Sequence, residues 1–429
     1  MNRRAELVER FGTPLYVYDL DRVDAAHEDL RAVLPEPVVL HYAVKANPHP
    51  DVIRALRGGD RPCRAEVSST GELAVALAAG VPPSHCLYTG PGKTPGELDE
   101  AIRLGVRLFS AESPGDLGRI GVAAVRRAVE VDCLLRVNGV APGGATGLRM
   151  TGAPSQFGTD ADTVPALLPD LASVPGARLV GAHFFPLSCA QDETALLAEF
   201  SNTVAAAAAL RDAGLPLRVL DIGGGFAAPY ATPGERPRYP GLKAGLAAAL
   251  DRHLPGWRRG EPAVLAESGR YLVGDCGELL CGVVDVKHSR GRRFVVLDAG
   301  VNAFGGLSGL GRLLPVSVVL DQADGPTGPA TLAGPLCTPG DVLGRQVLVP
   351  DLVPGDTVTI PNAGAYGPTA SLLAFLGRPA PTEVVLRAGR VVSASRLEHR
   401  RTDLVPLDLA TPTVIRDEFT PRCNMTTRS

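Results

Sequence analysis

The chain has 429 residues, of which 45% are hydrophobic and 21% charged, and its formal net charge is -3. This length exceeds one small domain, and the composition is that of an ordinary globular protein. The nearly balanced charge excludes a strongly basic surface for nucleic acid and a polybasic segment for lipid headgroups.

The N-terminal residues 2–12 contain no apolar core of the kind found in secretory leaders, and no run approaches 18 apolar residues. We therefore expect a cytoplasmic protein with neither a membrane nor a nucleic acid as partner. The first predicted strand is TPLYVYD, residues 13–19.

Between residues 38 and 270, short β-type runs alternate with helical stretches. Several of these runs are nearly all apolar, which is typical of parallel strands buried on both faces. Eight such strands with intervening helices predict a (β/α)8 barrel of the TIM type. The predicted strands are 38–45, 63–67, 85–89, 106–111, 131–138, 178–185, 217–222 and 263–267.

After residue 270 the runs become rich in Val and are separated by Gly, Pro and Asp. This pattern predicts an antiparallel β domain, either a sandwich or an open barrel, which the N-terminal strand joins. The expected organisation is an N-terminal segment 1–30, a barrel 31–270, a β domain 271–415 and a loose tail 416–429.

Eight cysteines lie at positions 63, 86, 133, 189, 276, 281, 337 and 423, and none forms a CxxC pair. Their scatter over a long chain argues against a disulfide framework and against a zinc site. We expect most of them to be small buried hydrophobic side chains and predict no metal.

The segment HYAVKANPHP, residues 41–50, places Lys45 at the end of an apolar strand. Catalytic residues of α/β barrels lie at the carboxyl ends of the strands. Lys45 either extends its amine from the strand end into solvent or forms a Schiff base in a partly desolvated pocket. The order Tyr-Ala-Val-Lys-Ala-Asn resembles the cofactor-binding motif of the barrel-type (fold type III) pyridoxal phosphate (PLP) decarboxylases, the ornithine and diaminopimelate decarboxylase family.

This resemblance implies a set of cofactor contacts, and the motifs that carry them are present. DIGGGF resembles the family's phosphate loop, whose backbone N–H groups can approach an anion without side chains in the way. AESGRY implies that Glu267 lies beside the pyridine nitrogen and keeps it protonated. The implied cofactor-binding residues are Lys45, Glu66, Arg136, Phe185, Ser188, Gly223, Gly224, Gly225, Glu267, Gly269, Arg270 and Tyr366.

In AGPLCTPGD, Cys337 matches a family cysteine that the partner subunit lends to the site to return a proton after CO2 departs. A thiol near a cationic cofactor can donate a proton at neutral pH. The resemblance therefore implies a homodimer with two shared sites, with Lys45, Cys337 and Glu267 as the catalytic residues.

The sequence also departs from the family pattern. Phe185 stands where a histidine usually stacks on the cofactor ring, His183 and Ser188 keep their places, and Gln156 replaces a usual lysine. Thr338 occupies the position of the acidic residue that holds a distal ammonium group, so ornithine and diaminopimelate are disfavoured as substrates. The expected substrate-binding residues are Thr338, Arg312 and Tyr366.

The stretches 150–158 and 333–356 resemble a narrower branch of antibiotic-pathway decarboxylases, which includes one that acts on a glutamyl group tethered to an acyl-carrier protein. The leading prediction is therefore a decarboxylase of specialised metabolism whose amino-acid substrate is free or carrier-bound. Two alternatives remain open, a PLP-dependent racemase that uses Lys45 and Tyr366, and a regulatory homologue with impaired catalysis.

Overall fold

The computed structural model of the chain describes residues 3–139, 148–149, 154–305, 317–321 and 327–402. The described residues up to 397 belong to one compact unit, which contains both sheets discussed below.

Eight parallel strands close into a barrel, as the sequence predicts. Each strand pairs with its neighbours around the ring, and the pairing of β5 (Leu108–Ala111) with β6 (Val131–Asn138) closes it. The short strands alternate along the chain with helices, which is the (β/α)8 arrangement. The barrel strands are β2 (Val39–Ala43), β3 (Arg64–Val67), β4 (Cys86–Tyr88), β5 (Leu108–Ala111), β6 (Val131–Asn138), β9 (Ala177–His183), β11 (Val219–Asp221) and β12 (Ala263–Ser268). Three two-residue strands, β7 (Leu148–Arg149), β8 (Thr159–Asp160) and β10 (Leu187–Ser188), lie beside this ring.

Four barrel strands end earlier than predicted, and the largest differences, of two residues each, are at β2 and β9, where a proline follows in the next loop. β2 ends at Ala43, and Val44–Ala46 form one 3-10 turn that leads to Asn47 and Pro48. β9 ends at His183, two residues before the predicted end, because Pro186 follows and lacks the N–H that a strand ladder needs. Lys45 and Phe185 therefore lie in the loops that leave the barrel.

The helices begin at side chains that satisfy their free N–H groups. The Oγ atom of Ser69 accepts a hydrogen bond from Glu72 at 3.1 Å, which is the capping role expected of this residue. Thr94 and Glu97 form a reciprocal capping box at the next helix. The helices are α1 (Arg3–Phe11), α2 (Leu20–Val33), α3 (Pro50–Leu56), α4 (Thr70–Ala78), α5 (Pro95–Arg103), α6 (Pro114–Arg126), α7 (Val164–Ala172), α8 (Glu193–Asp212), α9 (Leu242–His253) and α10 (Arg270–Val273).

The second sheet has eight strands and contains the N-terminal strand, as predicted. Leu15–Asp19 pairs with β13 on one side and with β18 on the other. The long strand β13 pairs with β1 and β17 in its first half and with β14 in its second half. The strands are β1 (Leu15–Asp19), β13 (Gly277–Ser289), β14 (Arg292–Leu297), β15 (Gly328–Ala333), β16 (Val342–Val349), β17 (Thr357–Ile360), β18 (Thr382–Arg387) and β19 (Arg390–Arg396).

The prediction of a purely antiparallel sheet is wrong in two places. β14 and β15 are parallel, and so are β1 and β18. Parallel neighbours need a long connection, and the 30 residues between β14 and β15 provide one. β1 comes from the other end of the chain, so no hairpin fixes its direction. The boundaries expected at residues 30, 270 and 415 remain predictions, and the predicted tail lies outside the described residues.

Two compositional expectations can be compared with the described residues. Of the seven cysteines there, all are free thiols; Cys189 is half-buried, Cys337 is exposed and the other five are buried. No helix in the described ranges has the length and apolar character needed to cross a membrane.

Candidate active site

A pocket of about 400 Å³, including its mouth, opens at the carboxyl ends of the barrel strands. This is the end at which α/β barrels carry their functional residues. A larger groove lies on the helical flank, but its arginines Arg31, Arg54 and Arg61 already have hydrogen-bond partners. The strand-end pocket is lined by Ala43, Lys45, Phe185, Ser188, Cys189, Gly224, Gly225, Phe226, Glu267, Ser268, Gly269, Arg270 and Tyr366.

Lys45 presents its amine in this pocket and is held there by Glu66. Lys45 Nζ lies 2.8 and 3.1 Å from the two carboxylate oxygens of Glu66. Its side chain is 43% exposed, whereas that of Glu66 is 2% exposed. Burial opposes the charge of the amine, but Glu66 and then Glu267 outweigh it and raise the pKa of Lys45 above its usual range. In this state Lys45 is an ammonium group with Glu66 as its counter-ion.

Glu66 is itself fixed by hydroxyl groups. Ser68 Oγ donates to its Oε1 atom at 3.2 Å, and Thr89 Oγ1 also donates to Oε1. Burial disfavours its ionisation, but Lys45 and these hydrogen bonds hold the pKa of Glu66 below its usual range. Glu66 is therefore a carboxylate that holds Lys45 in its charged form.

The three glycines after β11 form a cradle that admits no side chain. A Cβ atom on Gly223 would lie well inside 3.0 Å of the Phe184 carbonyl oxygen, and one on Gly224 would do the same to the Glu267 carbonyl oxygen. Gly223 and Gly225 also have φ values of +71° and +117°, which side-chain-bearing residues rarely adopt. The backbone of this loop is thus exposed to the pocket without obstruction.

Arg270 lies at the same end of the pocket and is held by aromatic rings. Its guanidinium carbon lies 4.9 Å from the ring centres of both Tyr230 and Tyr366. Within the described residues it forms no ion pair with a carboxylate, so it is not the partner of Glu267. Tyr366 adopts φ +52° and is anchored through its backbone N–H, which donates to Ala46 at 2.7 Å. Arg270 is therefore a cation available to an anionic ligand.

Glu267, the penultimate residue of β12, is a deeply buried carboxyl group. It is 2% exposed, and its Oε1 atom has no hydrogen-bond partner among the described residues. Burial, and then the neighbouring Asp221 and Glu66, raise the pKa of Glu267 well above its usual range. Its one ring neighbour, His183, is neutral because burial, and then Arg136 and Lys45, lower the pKa of the imidazole well below its usual range. A carboxyl group in this situation can balance a cation that enters the pocket.

Phe185 and Ser188 line the pocket beside the cradle. A Cβ atom on Gly224 would lie 3.5 Å from Phe185 Cε2, so the phenyl ring packs on the glycine loop. His183, two residues earlier on β9, instead lies inside the barrel, where its Nδ1 atom is 2.7 Å from Ser110 Oγ.

Arg136 and Gln156 lie away from the pocket lining. Arg136 is buried, pairs with Glu112 at 3.0 Å and stacks over the ring of Phe157 at 4.7 Å. Glu112 also accepts the backbone N–H of Gly158 at 2.8 Å, so this ion pair anchors the loop after β6. Gln156 is exposed on that loop. Contact between Arg136 and a cofactor remains a prediction.

The predicted catalytic and substrate-binding residues of the second sheet are not in this pocket. Cys337 is exposed, and Thr338 is half-buried on the loop after β15. Asp341 fixes that loop by accepting the backbone N–H groups of Val301 and Leu336, both at 2.7 Å. Arg312 lies outside the described residues.

The residues present fit a PLP group. The unobstructed glycine backbone, with Ser188 and Arg270 beside it, suits a phosphate. Glu267 provides an unpaired buried oxygen for a protonated ring nitrogen, and Lys45 provides an amine for an aldehyde. These features come from this chain's own geometry, and the roles of these residues in cofactor binding remain predictions.

The sequence reasoning missed several residues of the site. Ser68 and Thr89 fix Glu66, and Asp221 lies beside Glu267. Asp221 carries the same signal that identified Lys45, a charged residue at the end of an apolar strand. Cys189, which lines the pocket at φ +60°, had no local signal.

Comparison with known proteins agrees with this geometry. Residues 20–274 match the family model of the pyridoxal-dependent decarboxylase, pyridoxal binding domain. The L-glutamyl-[BtrI acyl-carrier protein] decarboxylase of Niallia circulans is 30% identical over 89% of this chain and 91% of its own length. The diaminopimelate decarboxylase of Aquifex aeolicus is 28% identical over 90% of this chain and 89% of its own length.

A solved structure gives the same result for the fold. The crystal structure of diaminopimelate decarboxylase from Helicobacter pylori, complexed with L-lysine, superimposes with a TM-score of 0.76 at 25% identity. The match covers 90% of this chain and 95% of that one. The chain therefore belongs to the family of pyridoxal-dependent decarboxylases with a barrel-type pyridoxal-binding domain.

Proposed function

We propose that this chain is a PLP-dependent carboxy-lyase that removes the α-carboxylate of an amino-acid substrate. One observation carries the proposal: a single pocket holds the Lys45 amine, the glycine cradle and the buried Glu267 carboxyl group. When bound, the cofactor supplies an electron sink for the bonding electrons that CO2 leaves behind. The residues of the chain must bind the cofactor and transfer the protons.

The first proton transfer is the deprotonation of the Lys45 ammonium group, which Glu66 contacts. The amine reacts with a carbonyl only in its neutral form, so the ammonium group must lose a proton. Glu66, whose two oxygens lie within 3.1 Å of Nζ, holds the amine in place, and the proton leaves through the solvent-exposed side of Lys45 because the low pKa of Glu66 makes this carboxylate a weak base. Thr89 and Ser68 keep the carboxylate in place.

The cofactor is held at two ends. Backbone N–H groups of the cradle, the Ser188 hydroxyl and Arg270 bind the phosphate. Glu267 would hold a protonated ring nitrogen by its negative charge, and Phe185 would supply an uncharged aromatic contact to the ring. Tyr366 keeps Arg270 directed at the pocket through the contact at 4.9 Å.

The substrate is an amino acid without a distal ammonium group, and we propose a glutamyl group tethered to a carrier protein. The Niallia circulans relative, which is named for such a substrate, matches 89% of this chain. Thr338 supports the proposal because it gives no negative charge to a distal ammonium. Comparison of CO2 release from carrier-tethered glutamate, free glutamate and diaminopimelate tests it, and preference for diaminopimelate would contradict it.

We also propose that the active unit is a homodimer in which Cys337 of each subunit serves the pocket of its partner. Cys337 is exposed and does not line the pocket of its own chain, as a shared site requires. Mixing Lys45→Ala chains with Cys337→Ala chains should restore about a quarter of wild-type activity, because half of the dimers gain one intact site. No recovery in confirmed heterodimers would contradict a shared site.

The reaction itself is tested by loss of the amine. Lys45→Ala should abolish CO2 release and the visible absorbance band of the bound cofactor, while a conservative change away from the pocket, Lys243→Ala, should leave both. Lys45 and Tyr366 line the same pocket, and a racemase could use both of them to transfer protons. The configuration of the product must therefore be analysed as well. Inversion of Cα with the carboxylate retained would replace decarboxylation by racemisation.

A further inference from the structure

Three buried side chains converge behind the pocket from three neighbouring barrel strands. His183 and Asp221 end β9 and β11, Glu267 is the penultimate residue of β12, and polar atoms of all three lie within 4.8 Å of one another. Asp221 and His183 are direct register partners in the parallel ladder. His183 Nε2 lies 3.5 Å from Glu267 Oε1. The convergence follows from the register of the barrel.

The hydrogen bonds around this trio are incomplete. Asp221 Oδ1 accepts the Gly223 N–H at 2.8 Å, and His183 Nδ1 pairs with Ser110. His183 Nε2, Asp221 Oδ2 and Glu267 Oε1 have no partner among the described residues. Buried polar atoms are almost always paired, so adjacent unpaired acceptors indicate a proton between them.

The buried charges lead to the same conclusion. Three other buried carboxylates of the barrel each have a cation: Glu66 has Lys45 at 2.8 Å, Glu112 has Arg136 at 3.0 Å, and Asp116 has Lys93 at 2.7 Å. Each of these three cations is therefore already paired with a carboxylate other than Asp221 and Glu267. Asp221 and Glu267 have no such partner in the described residues. Two neighbouring buried carboxylates cannot both ionise without one.

We propose that Asp221 is a positioning residue that shares a single proton with Glu267. This inference rests on the proposed function, since Glu267 must become a carboxylate when a cationic ring nitrogen lies opposite it. The proton then resides on Asp221, whose O–H donates to Glu267 and fixes its orientation. When the pocket holds no cation, the proton returns to Glu267, and the site never contains two uncompensated charges.

Asp221 also connects the two ends of the cofactor site. Its Oδ1 atom accepts from Gly223, the first residue of the cradle, and the Glu267 backbone N–H donates to the Gly223 carbonyl at 2.8 Å. A substitution of Asp221 therefore alters contacts of the cradle as well as contacts of Glu267.

Titratable groups face the pair from five other positions. His41 and Lys45 belong to β2 and the turn after it, and Glu66, Arg136 and His183 belong to β3, β6 and β9. Burial first, and then Glu66, raise the pKa of Asp221 to about 7. A carboxyl group with a raised pKa binds a proton on folding, so its share of stability is lost as the pH rises from about 4 to about 7.

The first test measures protons in the full chain without PLP. Urea unfolding of wild type, Asp221→Asn and the double variant Asp221→Asn/Glu267→Gln is followed between pH 4 and pH 8. Asp221→Asn should keep the proton, on Glu267, whereas the double variant should fold with about one proton fewer at pH 6, which flattens the decline of stability with pH. Equal slopes in wild type and the double variant, or a difference of two protons between them, would overturn the shared proton, whether or not the protein is a decarboxylase.

The second test uses the conservative variant for rescue. An asparagine keeps the acceptor for Gly223 and donates an N–H to Glu267, whereas alanine does neither. PLP affinity, read from the absorbance of the bound cofactor, should stay within about threefold of wild type in Asp221→Asn and fall at least tenfold in Asp221→Ala. Equal losses in both variants would overturn the positioning role.

Two further outcomes are distinguishable. If wild type binds no PLP at all, the proposed function fails, while the proton measurement still decides the pairing of Asp221 and Glu267. If the purified protein carries one equivalent of zinc that Asp221→Ala releases, a cation and not a proton joins the trio, and the inference is overturned.

Discussion

A single methyl group at Gly224 provides a sharp test of the site, because the surrounding atoms are backbone. A Cβ atom there would lie well inside 3.0 Å of the Glu267 carbonyl oxygen, on a strand that is paired on both sides. The two segments must separate by roughly half an ångström or more, and overpacking of this kind destabilises by about 1–3 kcal/mol. The displacement moves Glu267 and the cradle together, and a misplacement approaching 1 Å lowers a rate by about 100-fold.

Gly118→Ala is the matched control. Gly118 lies inside helix α6, and a Cβ atom there would have no neighbour within 4 Å. Alanine at such a position should stabilise the helix by up to about 1 kcal/mol. Urea unfolding, PLP titration by absorbance and CO2 release are measured on both variants. A Gly224→Ala protein with wild-type stability and PLP affinity would refute the assignment of the cradle.

Four other perturbations have defined outcomes. Glu66→Gln removes the counter-ion of the Lys45 amine, so the pKa of the amine should fall and its acetylation in PLP-free protein at pH 8 should accelerate; an unchanged rate contradicts the pairing. Phe185→Ala should weaken PLP binding about 2- to 12-fold, from the loss of an aromatic contact of about 0.5–1.5 kcal/mol, and undiminished affinity by absorbance titration would remove the ring from the site. Lys93→Met removes the buried one of the two cations that contact Asp116, the other being the half-exposed Arg119, and should destabilise in urea by more than the roughly 1 kcal/mol of an exposed ion pair and by up to about 3–5 kcal/mol; a loss below about 1 kcal/mol contradicts this reasoning. Burial raises the pKa of Glu383 to about 7, so its share of stability declines by about 1.4 kcal/mol per pH unit as the pH rises from about 4.5 to 7, and Glu383→Gln should remove that decline.

The barrel could be predicted because its strands are buried on both faces. Runs such as 131–138 are nearly all apolar, and the structure has a strand with those bounds. The second sheet could be predicted only in outline, since Val-rich strands do not reveal their direction. The parallel pairing of β1 with β18 joins residues more than 360 positions apart, and no local pattern carries that information.

The pocket residues were predictable for a related reason. In a parallel barrel every strand points the same way, so Lys45, the glycine loop and Glu267 must meet at one end once they are placed after their strands. Side chains within a buried strand carry no such signal, because alternation is lost when both faces are apolar. The proximity of His183 and Asp221 became apparent only when the register of β9 and β11 was known.

The chemistry that distinguishes one decarboxylase from another lies mainly outside the barrel ends. Glu66, Glu267 and the cradle concern an amine, a ring nitrogen and a phosphate, which every PLP-dependent reaction shares. The choice of substrate depends on groups that reach the mouth of the pocket, and the single chain leaves Cys337 and Thr338 on an exposed loop of the second sheet. If the subunits pair as proposed, that loop completes the partner's pocket with a neutral threonine beside the thiol. An acyl substrate on a carrier, whose distal end is uncharged, can then extend through the mouth without leaving a buried charge unpaired.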